Sequence, residues 1–176
     1  AILDGVYAMA RRKRAANQQR QDGKKYAELV RIRLASRLPV YLPQRIDDEL
    51  VSILRDFRVK AEQIGIRQFI IQTHFESPME ITPEAQVAAA QLLSAGWMIT
   101  NQHVYTAAAS RRGHNAKLRS SLNEIGILPY YTFSVKGYTE NSFNFALNSR
   151  AMQEQMEEKA VGLVSDTERI VTFQAD

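Results

Sequence analysis

Polar side chains gather at the carboxyl ends of four segments that are typical of buried strands. They occupy residues 35–37 (Ala-Ser-Arg), 72–76 (Gln-Thr-His-Phe-Glu), 101–103 (Asn-Gln-His) and 130–131 (Tyr-Tyr). Amide, imidazole and guanidinium groups are costly to bury unless they meet a partner or a ligand. Ligands of parallel α/β proteins bind at these strand ends. Because all four predicted strands carry polar residues at these positions, the sequence predicts a polar ligand site there.

Some of these residues also fit purely structural roles. His74 is compatible with a core imidazole whose nitrogens bond to the backbone. Asn101 and Gln102 are compatible with amides that join neighbouring strand ends. Both interpretations stay open at the level of the sequence.

Three arginines follow predicted strand ends, where a guanidinium can bind an anion through paired hydrogen bonds. They are Arg37 after the first strand and Arg111 and Arg112 after the third. One hypothesis is therefore an α/β domain that binds a small anionic metabolite through these arginines.

Missing motifs exclude several kinds of catalytic chemistry. The 176 residues contain no cysteine, which excludes disulfides, thiolate zinc sites and thiol nucleophiles within them. His74, His103 and His114 are too far apart for a motif such as HExxH, so we predict no protein-only metal site. No GxSxG or glycine-rich phosphate loop occurs. The sequence thus identifies no catalytic residue.

Charge and hydropathy limit the partners and the location. The net charge is +4, and residues 10–25 carry seven Lys or Arg against Asp22. No aromatic residue interleaves this run to stack on single strands, so we expect a solvated face rather than a nucleic-acid site. No stretch approaches the ~18–20 apolar residues of a membrane span, and the N-terminus lacks the order of a secretory signal. We expect a soluble, cytoplasmic protein.

The strands alternate with helices at the spacing of β-α units. Predicted strands cover 29–36, 67–75, 97–105 and 127–135, and their starts are separated by 38, 30 and 30 residues. Amphipathic helices are predicted for the segments between them: 48–61, 83–95 and 115–124. Such alternation indicates a parallel sheet with right-handed crossovers. We therefore predict an α/β fold with four main strands and flanking helices, forming part of a TIM-like (β/α) barrel.

No linker rich in Pro, Gly or Ser interrupts the chain, which predicts a single domain over 1–176. Its N-terminal part, 1–26, is predicted to be a basic helix and loop, with the helix over 2–20. Its C-terminal part, 142–176, is predicted to be a helix over 142–160 and a tail that ends in a possible short strand, 165–176.

The strand-end motifs together resemble the lysine 2,3-aminomutase family of radical S-adenosylmethionine enzymes, which are isomerases. The matching signatures are ASRLPVYLPQRID, QTHFESPMEITPE, SAGWMITNQHVY and GILPYYTF, in the family's order and at similar spacing. They cover residues 29 to about 133, the middle 60% of the chain.

The resemblance implies a partial barrel in which S-adenosylmethionine is cleaved at a 4Fe-4S iron–sulfur cluster. The radical so formed acts on an amino-acid substrate held by pyridoxal phosphate. It also implies that lumen-facing strand ends contact these cofactors. The candidate contacts are Arg37, Gln44, Gln72, His74, Asn101 and Gln102.

The sequence departs from the family in three respects. The CxxxCxxC motif that binds the cluster through thiolates is absent, as is the glycine run that precedes the family's pyridoxal lysine. Residues 106–114 carry arginines where the family has an acidic residue that binds the substrate's distal amine. We expect a fragment that lacks the first two β-α units and is inactive alone. We also expect self-association through the exposed edge of its first strand.

Overall fold

The computed structural model describes residues 1–106, 108–111 and 113–133. Within them, four parallel strands form one sheet in the order β1-β2-β3-β4. The elements, in chain order, are α1 (Ile2–Asn17), β1 (Arg31–Ala35), α2 (Leu38–Tyr41), a 3-10 turn (Pro43–Arg45), α3 (Asp48–Gln63), β2 (Gln68–Thr73), a 3-10 turn (Pro78–Glu80), α4 (Pro83–Ser94), β3 (Met98–Val104), a 3-10 turn (Ala108–Ser110), α5 (His114–Glu124) and β4 (Ile127–Phe133).

These elements confirm the α/β fold with parallel β-α units, and they are compatible with part of a (β/α) barrel. The strands β1–β3 are two or three residues shorter than predicted. Helix α3 runs two residues further, to Gln63, and α1 ends three residues earlier, at Asn17. The predicted segments over 142–176 lie outside the described residues.

Local sequence signals explain where the helices begin and end. The Asp47 carboxylate accepts from the Leu50 N–H at the start of α3, and the Thr82 hydroxyl accepts from the Ala85 N–H at the start of α4. Such caps satisfy backbone donors that a helix leaves unpaired. At the other end, Gly96 adopts a φ of 79°, the left-handed conformation that turns a helix toward the next strand.

The hydrophobic core lies between one face of the sheet and helices α3, α4 and α5. Ile32, Phe69, Ile71, Ile99 and Ile127 share this face by strand alternation and are all buried. The helices pack against them with their apolar residues: Leu54 and Phe57 of α3, Ala88 and Leu92 of α4, and Leu118 and Leu122 of α5. Burial of this single face fixes the register of each strand, because a shift by one residue would turn apolar side chains to the opposite face.

The opposite side of the sheet, which we call the open face, carries the alternate strand residues. It includes Met98, Leu128 and Tyr130, which are 49%, 47% and 49% exposed. These line a groove of about 420 Å³ together with Arg33 and Ile70. Parallel sheets are normally covered on both faces. The open face is therefore where the lumen of a barrel would lie.

No helix in the described part of the chain has the length and apolar character needed to cross a membrane. Two of the seven basic residues in the run at 10–25 form ion pairs within the chain. Arg14 pairs with Glu28 at 3.2 Å, and Lys25 with Asp22 at 2.7 Å.

Candidate functional site

Two regions of the structure gather polar side chains at the carboxyl ends of the strands. The first surrounds Glu76, which follows β2. It also includes the end of β3 and the start of α5. The second lies on the open face, where Gln72 and Thr100 are neighbours in the β2–β3 register. Since the strands are parallel, their ends meet at one edge of the sheet and bring both regions together.

Glu76 is surrounded by the three histidines of the chain. The His74 Nε2 contacts one carboxylate oxygen, and the His103 Nε2 lies 3.3 Å from the other. The His114 Nε2 lies 2.9 Å from the Glu76 backbone oxygen. Both carboxylate oxygens also accept from the Val104 N–H, at 3.2 and 3.1 Å. We refer to Glu76, His74, His103 and His114 as the Glu76 cluster.

His103 is the most deeply enclosed member of this cluster. Its side chain is 3% exposed, and its ring meets Tyr105 edge to face, with the centroids 5.3 Å apart. Burial lowers the pKa of His103 from 6.5 to about 4, although the nearby Glu76 carboxylate opposes the shift. His103 is therefore neutral at neutral pH.

Asn101 joins the ends of β2 and β3. Its side-chain oxygen accepts from the Phe75 N–H at 2.7 Å, and its amide nitrogen donates to the Phe75 carbonyl at 3.0 Å. The residue is 2% exposed. Asn101 therefore makes the contacts of an amide that joins neighbouring strand ends, which is the structural role that the sequence left open for it.

Arg37 follows β1 and is held by residues on either side. Its Nη2 lies 3.4 Å from a Glu80 carboxylate oxygen, and its guanidinium carbon lies 4.2 Å from the centre of the Tyr41 ring. The other Glu80 oxygen accepts from the backbone N–H groups of Glu76 and Ser77, at 2.6 and 3.2 Å. Glu80 therefore links the segment after β1 to the segment after β2.

Gln72 and Thr100 form the polar part of the open face. They are only 4% and 5% exposed. The Gln72 Nε2 and the Thr100 Oγ1 are buried without a hydrogen-bond partner among the described residues. Unsatisfied buried polar atoms are uncommon in native proteins and call for a ligand or an ordered water. This pair is therefore suited to binding a polar ligand.

The remaining candidates lie elsewhere. Gln44 is exposed on the 3-10 turn before α3 and lines a separate groove with the first turn of α4. Gln102 is half-buried on β3, opposite Tyr131, after a register shift between Asn101 and Gln102. Arg111 is exposed in the segment before α5, and Arg112 lies outside the described residues.

The candidate contacts named from the sequence do not include Glu76, Glu80, His103 or His114, although Glu76 and His103 fall within the predicted polar strand ends. One sequence signal could have identified the two strand-end histidines. His74 and His103 both lie near the carboxyl ends of predicted parallel strands, and such ends meet at one edge of a sheet. Within the described residues, no group of three or more His, Asp or Glu side chains is arranged to hold a metal ion.

Comparisons with known proteins find relatives named as a KamA family protein and as aminomutases. No protein-family model matches the chain. It is 39% identical to an uncharacterized KamA family protein of Methanocaldococcus jannaschii over 130 residues, which are 74% of the chain and 20% of that protein.

Two further relatives carry the names of enzymes. An L-lysine 2,3-aminomutase of Acetoanaerobium sticklandii is 38% identical over 103 residues, which are 58% of the chain and 23% of that enzyme. A glutamate 2,3-aminomutase of Clostridioides difficile is 34% identical over 106 residues, which are 60% of the chain and 23% of that enzyme. The matched part of the chain thus spans less than a quarter of the length of these relatives.

Proposed function

The chain belongs to the lysine 2,3-aminomutase family, and on that premise we propose that it forms part of the barrel of a radical S-adenosylmethionine aminomutase. The parent enzyme would be an isomerase that moves an amino group within an amino-acid substrate. Two observations support this proposal: relatives are named 2,3-aminomutases, and no helix of the described residues covers the second face of the parallel sheet.

The observation that carries the binding part of the proposal is the buried pair Gln72 and Thr100. Their unpartnered atoms are a donor and a hydroxyl on adjacent strands. S-adenosylmethionine offers hydroxyls, ring nitrogens, an ammonium and a carboxylate, which are complementary to such atoms. We propose that Gln72, Thr100 and His74 contact it, with Arg37 and Gln102 at the margin of the same site.

Two of the six predicted cofactor contacts have weaker support. Asn101 already uses both its oxygen and its nitrogen on the Phe75 backbone, so we propose that it acts by shaping the strand ends. Gln44 lines a groove on the helix side.

The iron–sulfur cluster does not fit the residues of this chain. Such clusters are held by thiolates, and the 176 residues contain no cysteine. We therefore propose that the ligands of the cluster come from outside these residues and that the 176-residue chain alone has no aminomutase activity.

The substrate class is an amino acid, and the relatives' names include both lysine and glutamate. The segment after β3 carries the exposed Arg111 rather than an acidic residue, which favours an anionic or neutral side chain over lysine. We propose pyridoxal phosphate as a further cofactor of the parent enzyme, by membership of the family.

A calorimetric titration with S-adenosylmethionine tests the binding part. We expect saturable binding to the chain and a loss of about tenfold in affinity for Gln72→Leu, the size expected when one hydrogen bond to a charged or polar ligand is removed. Arg12→Gln, an exposed change on α1 far from the sheet edge, is the matched control. Wild-type chain that shows no binding would contradict the proposal.

Reconstitution with iron and sulfide tests the cluster part. We expect no cluster absorbance and no cleavage of S-adenosylmethionine by the 176-residue chain. A cluster that forms on this chain and cleaves S-adenosylmethionine would refute the view that its ligands lie elsewhere.

An anion site built from the strand-end arginines receives less support. Arg37 already faces the Glu80 carboxylate, which lowers its attraction for another anion. A titration with phosphorylated metabolites, run beside the S-adenosylmethionine titration, separates the two functions. Tight phosphate binding without any response to S-adenosylmethionine would favour the anion site.

We further propose that the free edge of β1 supports self-association. Strand β1 pairs only with β2 among the described strands, and unpaired strand edges can add a strand from another chain. Light scattering over a range of concentrations tests this, and a monomer throughout would contradict it.

A further inference from the structure

We propose that Glu76 positions His74 by fixing its tautomer, so that His74 offers an unprotonated Nδ1 to the ligand. His74 would then accept a hydrogen bond from a hydroxyl or ammonium group. The inference rests on the proposed function only for the identity of that ligand. Glu76 itself is a positioning residue, since it acts through His74.

The position of the proton follows from the contacts of the carboxylate. The His74 Nε2 faces one oxygen of Glu76, and the His103 Nε2 lies 3.3 Å from the other. The angles in both pairs fall outside those of a hydrogen bond. However, an ionised carboxylate only accepts hydrogen bonds, and an unprotonated, electron-rich ring nitrogen this close to a carboxylate oxygen would be repelled by it whatever the angle. A proton must therefore reside on the Nε2 of each ring.

Burial separates the roles of the two rings. Both nitrogens of His103 are buried, whereas only the Nε2 of His74 is. The His74 side chain is 29% exposed, which leaves its Nδ1 accessible. In a neutral imidazole that donates from Nε2, the Nδ1 carries a lone pair and accepts. His74 is therefore the member of the Glu76 cluster that can meet a ligand.

The charge of the cluster favours the same arrangement. His103 stays neutral because burial lowers its pKa to about 4, so it does not neutralise Glu76. His114 contacts the Glu76 backbone oxygen rather than the carboxylate. The negative charge of Glu76 is thus directed at His74, and it would repel an anionic group brought to that ring.

The ligand class follows from this polarity. The group bound at His74 must donate a hydrogen bond, which excludes a carboxylate or phosphate at that point. Arg37 is already paired with Glu80 across the same edge, so it lies at the margin of this site. The strand ends therefore present a hydrogen-bond acceptor at His74, which a ligand that carries hydroxyl or ammonium groups, such as S-adenosylmethionine, satisfies.

Nuclear magnetic resonance of the ¹⁵N-histidine-labelled chain tests the tautomer directly, without any ligand. We expect His74 and His103 to show the Nε2–H pattern at neutral pH. In Glu76→Gln, the new amide can donate to the His74 Nε2, so a shift of His74 toward the Nδ1–H form is expected. An Nδ1–H pattern for His74 in the wild-type chain would overturn the inference, whether or not any variant folds.

Calorimetry with S-adenosylmethionine tests the consequence for binding. We expect Glu76→Gln and His74→Gln each to lower the affinity about tenfold, and the double variant to lose no more than either single one, because both act through one contact. Glu124→Gln, exposed at the far end of α5, is the matched control. Unchanged affinity in Glu76→Gln would overturn the inference. Wild-type chain that binds no S-adenosylmethionine would overturn the proposed function, while the tautomer measurement still decides the role of Glu76.

Discussion

Asn101 holds the backbone of Phe75 with both ends of its amide: it accepts from the N–H at 2.7 Å and donates to the carbonyl at 3.0 Å. Both residues are buried. Replacing Asn101 with Ala would leave the Phe75 N–H and carbonyl without these partners. Each unsatisfied buried group costs roughly 1–3 kcal/mol, so we expect Asn101→Ala to lower the free energy of unfolding by about 3 kcal/mol, measured by urea denaturation.

The neighbouring residue provides the control for this prediction. Gln102 is half-buried, and its side chain makes no hydrogen bond to the described residues. Gln102→Ala is therefore expected to change the stability by less than about 1 kcal/mol. Equal losses in the two variants would show that the amide of Asn101 contributes nothing specific.

The elements that could be predicted from the sequence are those set by local signals. Thr82 and Pro83 begin α4 as expected, and Gly96 ends the turn after it with a positive φ. These signals act within a few residues, so they do not depend on the tertiary fold. The four strands were found for the same reason, since each is an apolar run bounded by turns.

The site was predicted only as an edge of the sheet, because its contacts depend on register and on burial. Glu76 reaches Val104 and His103 across strands that are far apart in the sequence. The register shift between Asn101 and Gln102 changes which side chains lie on the open face. Residue types cannot reveal such a shift. Nor can they show that Gln72 finds no partner among residues 1–106, 108–111 and 113–133, because this depends on every neighbouring atom.

Thr100 gives a prediction in which stability and binding move in opposite directions. Its hydroxyl is buried on the open face without a partner in the part of the chain that the structure describes. Thr100→Val removes an unsatisfied polar atom at nearly constant volume and is expected to raise the free energy of unfolding by about 1 kcal/mol. The same change is expected to weaken S-adenosylmethionine binding about tenfold, as measured by calorimetry.

Thr73 is the matched control for Thr100. It also has a buried hydroxyl without a partner among the described residues, but strand alternation places it on the helix side of β2. Thr73→Val is expected to raise stability by a similar amount, about 1 kcal/mol, without any change in binding. A loss of binding in Thr73→Val, or none in Thr100→Val, would contradict the assignment of the ligand to the open face.

Trp97 joins β3 to α3 through both packing and a hydrogen bond. Its ring centre lies 5.4 Å from that of Phe69 and 6.3 Å from that of Phe57, and its indole donates to the Leu54 carbonyl at 3.1 Å. Trp97→Phe keeps an aromatic ring but loses volume and the donor. We expect a loss of about 2 kcal/mol by circular dichroism during urea denaturation. Met98→Leu, half-exposed on the open face, should change stability by less than about 1 kcal/mol; a larger loss there than at Trp97 would refute the prediction.

The lowered pKa of His103 predicts that the folded protein loses stability in mild acid. Its pKa falls from 6.5 to about 4 on folding because burial disfavours the charged ring. Between these two values the unfolded chain binds a proton that the folded chain does not, so stability falls as the pH falls from about 6.5 to about 4. The full effect is about 3 kcal/mol, and below about pH 4 it changes no further.

The variant His103→Gln tests this assignment, because glutamine keeps a polar side chain of similar length but does not titrate. Urea denaturation of both proteins at a series of pH values should give a wild-type curve that falls steeply below about pH 6.5. The curve of the variant should be flatter by about 3 kcal/mol over the same interval. Its stability at pH 8 is expected to be lower, since the edge-to-face contact with Tyr105 is lost, but only the slope reports the titration. Parallel curves for the two proteins would assign the acid sensitivity to groups other than His103.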